Sequence, residues 1–295
     1  ENSYIIQVDI RANRIGRRAK VNMGVVGDVK DTLKILNPLI EPKEDDRFLK
    51  RHLKIYETVK KNLNTYVTNK GAENKIHPEY VMHLINKKAD ENAIFTVDTG
   101  MTCVWGARYL ESTGKRTMLG SFNHGSMANA MPQAIGAALA APERQIIALC
   151  GDGGLSMLLG DLEIVQYKLP IKIIVFNNRA LGMVKLEMEV AGLPDNQTNM
   201  LNPDFELVAK AMGMIGFTVR HPDNVESVLE SAMKTDGPVL VNIMTDPNAL
   251  AMPPKIDFDQ MLGFAQSMYK LILNGRTKEV METINSNIKH WKEAL

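Results

Sequence analysis

Residues 151–178 read GDGGLSMLLGDLEIVQYKLPIKIIVFNN, and this stretch decides the fold. The run leading into it, Gln145 to Cys150, is apolar after its first residue, as a parallel strand buried on both faces is, and it ends in a Gly-Asp-Gly-Gly turn. A second such run, Ile171 to Phe176, ends in Asn177-Asn178. Ligands of doubly wound sheets collect beyond the carboxyl ends of the strands, so Asp152 and Asn178 converge although Gly154 to Phe176 separate them. One carboxylate and one amide oxygen suit Mg²⁺, a hard cation that keeps positions open for phosphate oxygens and water. Gly151, Gly153 and Gly154 let backbone N–H groups approach an anion, helped by the positive end of the following helix. The pattern predicts a site for a metal-bound diphosphate; two ordinary strand-to-helix turns are the competing reading.

The chain has 295 residues, 45% of them hydrophobic, enough for a sizeable core in one large or two modest domains. With a formal net charge of +1 and no dense basic tract, it presents no nucleic-acid surface. The two cysteines, Cys103 and Cys150, lie far apart and form neither a disulfide framework nor a CxxC metal pair, which points to a reducing, cytoplasmic setting. The start, ENSYIIQVDI, is not a secretory signal, and no apolar run approaches the roughly 20 residues of a membrane span. A chain opening on a buried strand without Met reads as a piece of something longer.

Strands over Tyr4 to Ile10 and within Val21 to Val29, followed by a helix from Asp31 to Leu39 stopped by Pro38, give one incomplete α/β unit in residues 1–40. Residues 41–75, rich in Lys, Asp, Glu and Asn, read as a solvated helical linker rather than a basic patch. Residues 76–246 carry the main domain. It has helices from Ile76-His-Pro78 to Lys88, Val104 to Leu110, Ala128 to Ala141, Leu181 to Val190, Pro203 to Met212 and Val225 to Met233. Its strands are Ala93 to Val97, the two opening ones, Ile215 to Val219 and Pro238 to Met244. An amphipathic helix is expected between the GDGG and NN turns, and Asn123 to Met127 reads as a loop. Strands alternating with helices argue a doubly wound parallel sheet covered on both faces. After Met252-Pro-Pro254, residues 247–295 form a helical tail, Asp257 to Leu273 and Thr277 to Lys292, hinged at Asn274-Gly275.

The paired GDGG and NN turns resemble the thiamine diphosphate motif of the decarboxylase and oxidase superfamily. More closely, GSFNHGSMANAMPQAIGAALAAPERQIIALCGDGG with LPIKIIVFNN is similar to the bacterial pyruvate oxidases, particularly the membrane-associated, quinone-reducing ones. The resemblance covers nearly the whole chain, including VDIRANRIGRRAKVNMGVVGDVKDTL, which looks like the end of that family's FAD-binding middle domain. It implies the thiamine diphosphate-binding fold, with thiamine diphosphate, Mg²⁺ and FAD as cofactors. It also implies oxidative decarboxylation of pyruvate to acetate and CO₂, a membrane quinone as acceptor, a homotetramer, and a place at the inner face of the cell membrane. An acetolactate synthase-like enzyme and an oxygen-dependent, acetyl phosphate-forming oxidase are the alternatives.

Carried onto this sequence, the resemblance makes Asp152, Asn178 and the backbone oxygen of Ala180 the metal ligands. Gly125, Ser126 and Met127 would line the cofactor, with Met127 beneath the thiazolium forcing a bent conformation that brings the aminopyrimidine beside the reacting carbon. Gly153, Gly154, Arg179, Leu181, Gly182, Met183 and Val184 would complete the pocket, with Gly100 and Thr102 as further candidates. Asp9 would contact the adenosine half of FAD; from sequence alone Asp9 and Asp28 are equally strand-end turn residues. Glu187 would approach the reacting carbon, against the alternative of a solvated helix carboxylate, with Glu189 close by. Met183 departs from the aromatic often found there. His124 is expected to fix its loop by hydrogen bonding, and both cysteines to be structural. The family's activating glutamate sits in a first domain without a counterpart here, so this stretch alone is expected to be an inert cofactor-binding module. Val280, Ile284, Ile288 and Trp291, with Lys278, Lys289, His290 and Lys292 nearby, form a basic amphipathic stripe. By itself it reads as packing on its own subunit, and with the resemblance as a lipid-binding tail.

Overall fold

The computed structural model describes residues 3–68, 74–250 and 258–294, with side chains through 287. The expected break at Met252-Pro-Pro254 and the side chains of Ile288, Lys289, His290, Trp291 and Lys292 lie outside the described residues.

The chain divides into two units, Glu1–Glu57 and Thr58–Leu295. In the first, β1 (Ile6–Asp9) and β2 (Met23–Val26) pair in parallel, and α1 (Val29–Leu36) follows. This helix begins earlier than its expected Asp31 because Asp28 caps it, accepting from the N–H groups of Lys30 and Asp31 at 2.8 and 3.2 Å. Pro38 lies in the 3₁₀ turn Asn37–Leu39 that ends it. The unit boundary falls within α2 (Arg47–Leu63), in which no side chain is buried.

The second unit is built on six parallel strands: β3 (Ile94–Val97), β4 (Thr117–Gly120), β5 (Ile146–Gly151), β6 (Ile171–Asn177), β7 (Ile215–Val219) and β8 (Val239–Met244). Their order is β4-β3-β5-β6-β8-β7. Alternate side chains feed two cores. Ile147, Leu149, Ile174 and Val241 pack with α3 (Pro78–Lys88), α4 (Met101–Tyr109) and α9 (Val225–Lys234). Ile146, Ala148, Cys150 and Ile173 pack with α5 (Ala130–Ala140) and α8 (Phe205–Ala211). Burial on both faces explains the unbroken apolar runs, each such side chain contributing roughly 1.5–3 kcal/mol.

The structure adds one element and corrects another. Strand β4 is not among the expected strands, because a four-residue edge strand beside Lys115 and Arg116 carries little apolar signal. The single helix expected after GDGG is instead α6 (Asp152–Met157) followed by the 3₁₀ segment Leu159–Tyr167. Leu158 breaks the helical geometry there and Gly160, a poor helix former, follows.

Three further helices, α7 (Gly182–Val190), α10 (Phe258–Leu273) and α11 (Thr277–Ala294), bury Leu186, Leu250, Phe264, Met268, Leu271 and Val280 together. Helix α10 comes so close to the end of α7 that a methyl group on Gly263 would overlap the carbonyl of Val190. Helix α11 buries a polar face: Ser286 Oγ donates to Asp246 Oδ2 at 2.6 Å, and Asn287 joins Leu250 N–H and Asn248 O. Val280 is buried and Ile284 is 39% exposed, so the described part of the tail stripe packs partly on its own unit.

Beside this contact Glu189, 1% exposed, faces Lys185 on its own helix, Asp195 on the following loop, and Arg276 and Glu279 at the start of α11. Burial pushes its carboxyl up to about 7, against the opposing pull of Lys185. A carboxyl raised on folding favours the folded state while protonated; that contribution is full below about 4.5 and lost as pH rises through about 7. The stability difference between Glu189→Gln and wild type, measured by urea unfolding, is therefore expected to move in favour of glutamine by about 1–3 kcal/mol between pH 4.5 and 7.5. Gly263→Ala is expected to destabilise the unit by about 1–3 kcal/mol in the same assay, because backbone must move to admit the methyl group.

Candidate functional site

The chain enters β4 on one side of β3 and returns to β5 on the other, so the carboxyl ends of β3 and β5 flank the topological switch point. Each delivers an aspartate there. Asp98 follows β3 and is 2% exposed; its Oδ1 accepts the N–H of Ala130 at 2.9 Å and its Oδ2 that of Gly151 at 3.2 Å. One carboxylate thus ties together the ends of two strands and the start of α5. Burial pushes its pKa up to about 6, with backbone donors opposing. Gly154 has to be glycine, since a methyl group would overlap this carboxylate.

Asp152 opens α6 and is also 2% exposed. Its Oδ2 accepts from Asn202 Nδ2 at 2.7 Å, and burial raises its pKa while that bond and backbone N–H groups lower it. The same Asn202 nitrogen donates to Asn177 Oδ1 at 2.9 Å, and Asn177 Nδ2 donates to Asn242 Oδ1 at 2.9 Å. Asn178 Oδ1 accepts the N–H of Ala180 at 3.0 Å across a turn in which Arg179 takes the left-handed φ of 55°. Backbone bonds from Leu181 to Thr198 and from Met200 to Arg179, both 2.8 Å, pin this turn against residues 198–200.

These parts surround a solvent-open cleft of about 680 Å³. Met127, Asp152, Gly153, Gly154, Asn178, Ala180, Leu181, Gly182, Met183 and Val184 line it, with Gly100 and Thr102. Asp98, Trp105, Phe176 and Asp246 line it as well; sequence reasoning did not select them. Asp98 carried a signal, since it ends an apolar strand as Asp152 does. So did Asn242, a polar residue inside a buried strand. Asn202, in a loop beside Pro203, carried none.

Other candidates are not brought into the cleft. Gly125, Ser126 and Arg179 are exposed and absent from the lining. Gly125 N–H donates to Ser121 O at 2.7 Å and Ser126 N–H to Ser121 Oγ at 3.0 Å, so Ser121 fixes this loop. His124 is exposed and makes no side-chain hydrogen bond among the described residues, contrary to its expected role. Glu187 is exposed on α7 and outside the lining, while Glu189 belongs to the tail contact. Asp9 lies in the first unit, where its Oδ1 accepts the N–H of Arg11 at 2.8 Å. Cys103 is half-buried and Cys150 fully buried, and desolvation raises both thiols.

The donor set fits a magnesium diphosphate. Among the described residues the lining holds three carboxylates, Asp98, Asp152 and Asp246, and no lysine, arginine or histidine. Asp152 has no salt bridge among the described residues. A diphosphate entering such a cleft needs a divalent cation between itself and Asp152. No cluster of three or more His, Cys, Asp or Glu suited to a metal occurs among the described residues, so amide, backbone and ligand oxygens would complete the shell.

Residues 98–243 match the family model described as thiamine pyrophosphate enzyme, C-terminal TPP binding domain, and this domain belongs to that family. The chain is 33% identical over 293 residues to the "Putative thiamine pyrophosphate-containing protein YdaP" of Bacillus subtilis (strain 168), covering 98% of this chain and 50% of that protein. It is 32% identical over 275 residues to the acetolactate synthase large subunit of Porphyra purpurea, 90% of this chain and 46% of that one. A probable acetolactate synthase large subunit of Methanococcus aeolicus is 30% identical over 268 residues, 86% of this chain and 45% of that protein. The chain spans about half the length of these curated relatives.

Gly154→Ala is expected to lower stability by about 1–3 kcal/mol in thermal or urea unfolding without ligand, because the Asp98 carboxylate must leave the N–H groups it holds.

Proposed function

We propose that the whole protein is a thiamine diphosphate- and Mg²⁺-dependent enzyme that oxidatively decarboxylates pyruvate to acetate and CO₂, passing electrons through FAD to a membrane quinone. The observation that carries the cofactor part is the cleft at the β3/β5 switch point, rich in carboxylate and backbone groups and, among the described residues, without basic side chains. The resemblance of residues 120–178 to pyruvate oxidases supports the substrate and acceptor.

In this reading Asp152, Asn178 and the Ala180 carbonyl hold the metal. The backbone at Gly153 and Gly154 admits the diphosphate; a side chain at 153 would press on Leu181 and one at 154 would overlap Asp98. Met127, Trp105 and Phe176 supply apolar wall and exclude water. Bound there, thiamine diphosphate supplies the electron sink that decarboxylation of a 2-oxo acid requires. Asp98 holds the ends of both strands and the start of α5 in place around the cleft. Homotetramer formation and a lipid-binding role for the tail, residues 247–295, are part of the same proposal.

A second reading, acetolactate formation from two pyruvates, is supported by relatives that bear the name acetolactate synthase at up to 32% identity over 90% of this chain. Purified whole protein with pyruvate, thiamine diphosphate, Mg²⁺, FAD and a soluble quinone analogue separates the two. Acetate with stoichiometric quinone reduction is expected; acetolactate or peroxide as main product contradicts the quinone-linked reading.

A further inference from the structure

Asn202 stands outside the metal ligand set yet holds its carboxylate. Its side-chain nitrogen has two hydrogens, and both are committed: one to Asp152 Oδ2 at 2.7 Å, the other to Asn177 Oδ1 at 2.9 Å. The orientation of the amide follows from its neighbours. A carboxylate is acceptor-only when ionised, so the nitrogen faces Asp152. Asn177 is oriented in turn, because its own nitrogen donates to Asn242 Oδ1, leaving Asn177 Oδ1 to accept from Asn202 and from the N–H of Arg179 at 3.3 Å. Asn242 Nδ2 donates onward to Thr218 Oγ1 at 3.4 Å. Donation therefore runs outward from Asn202, to Asp152 at the β5 edge on one side and through Asn177 on β6 and Asn242 on β8 to Thr218 on β7 on the other.

From this geometry we infer that Asn202 is a positioning residue for the divalent cation that carries the diphosphate, acting through Asp152. The inference rests on the cofactor reading above. Asp152 is buried and has no salt bridge among the described residues, and its Oδ2 is held by the side chain of Asn202 at 2.7 Å. This bond to Oδ2 restricts the rotation of the carboxylate and so the direction in which it presents its oxygens to the cleft. Asn202 Oδ1 is itself buried without a donor among the described residues, a cost the fold tolerates where the amide nitrogen is the useful end. Partners that orient a metal-ligating carboxylate typically change affinity 10–100-fold when removed.

The test is Mn²⁺ binding, read by electron paramagnetic resonance with saturating thiamine diphosphate, in whole wild-type protein, Asn202→Leu and Asn242→Leu. Thermal unfolding without metal is measured alongside. Both variants lose buried hydrogen bonds and are expected to melt earlier. Only Asn202→Leu is expected to weaken Mn²⁺ about 10–100-fold, with Asn242→Leu staying within about threefold of wild type. Asn202→Ala, which removes the amide without adding apolar bulk, replaces the leucine variant if that fails to fold, with a loss of at least about fivefold expected. An Asn202 variant that binds Mn²⁺ like wild type overturns the positioning role alone. Equal weakening in both variants overturns it too, since the loss then follows stability. Failure of wild type to bind Mn²⁺ with thiamine diphosphate overturns the cofactor reading and this inference together.

Discussion

Two carboxylates, Asp98 and Asp152, lie almost fully buried where neighbouring strands of a parallel sheet end, and among the described residues no basic side chain lines the cleft between them. Desolvation opposes their charge, and backbone and amide donors are what oppose desolvation. Much local architecture follows from that constraint. Residue 154 has no room for a side chain beside Asp98, α5 begins with its Ala130 N–H aimed at Asp98, and Asn202 is drawn in from the loop before α8 to reach Asp152. In the proposed reading, a cleft so arranged takes a diphosphate together with a divalent cation. Chemistry and fold are coupled at this point, since the donors that hold the strand ends together also tune the ligand.

The third carboxylate of the cleft has a different support. Asp246 follows β8, and its oxygens accept from Ser286 on α11 and from the N–H of Asn248. Helix α11 is thus bonded to a residue of the cleft lining, and Lys185 on α7 reaches Glu279 on α11 at 2.8 Å. Helix α7 also brings Gly182, Met183 and Val184 to the cleft. The C-terminal helices are therefore part of the frame around the site through Asn287.

The central strands were legible because burial on both faces makes their apolar runs unbroken, as in Ile146 to Cys150 and Ile171 to Phe176. Asp152 and Asn178 were legible as cleft residues because polar residues directly after such runs stand at the carboxyl edge of the sheet. Strand β4 was not, because four residues at a sheet edge are only half-enclosed. The helix after GDGG was misread because apolar spacing persists where the backbone tightens to 3₁₀ geometry. Asn202 and the role of Ser121 depend on which loops meet in space, and spacing in one sequence does not encode that. Glu187 and Glu189 show the same limit: two acids on one helix differ only in which side its neighbours cover. The α11 stripe, read by period alone, also concealed that Ser286 and Asn287 face inward.

The central claim is that this cleft binds an anionic cofactor only through a divalent cation held at Asp152. Calorimetric titration of the whole protein with thiamine diphosphate, in Mg²⁺ and then in EDTA, tests it most directly. Saturable binding in Mg²⁺ that disappears in EDTA is the predicted result; equal affinity in the two buffers would contradict the account.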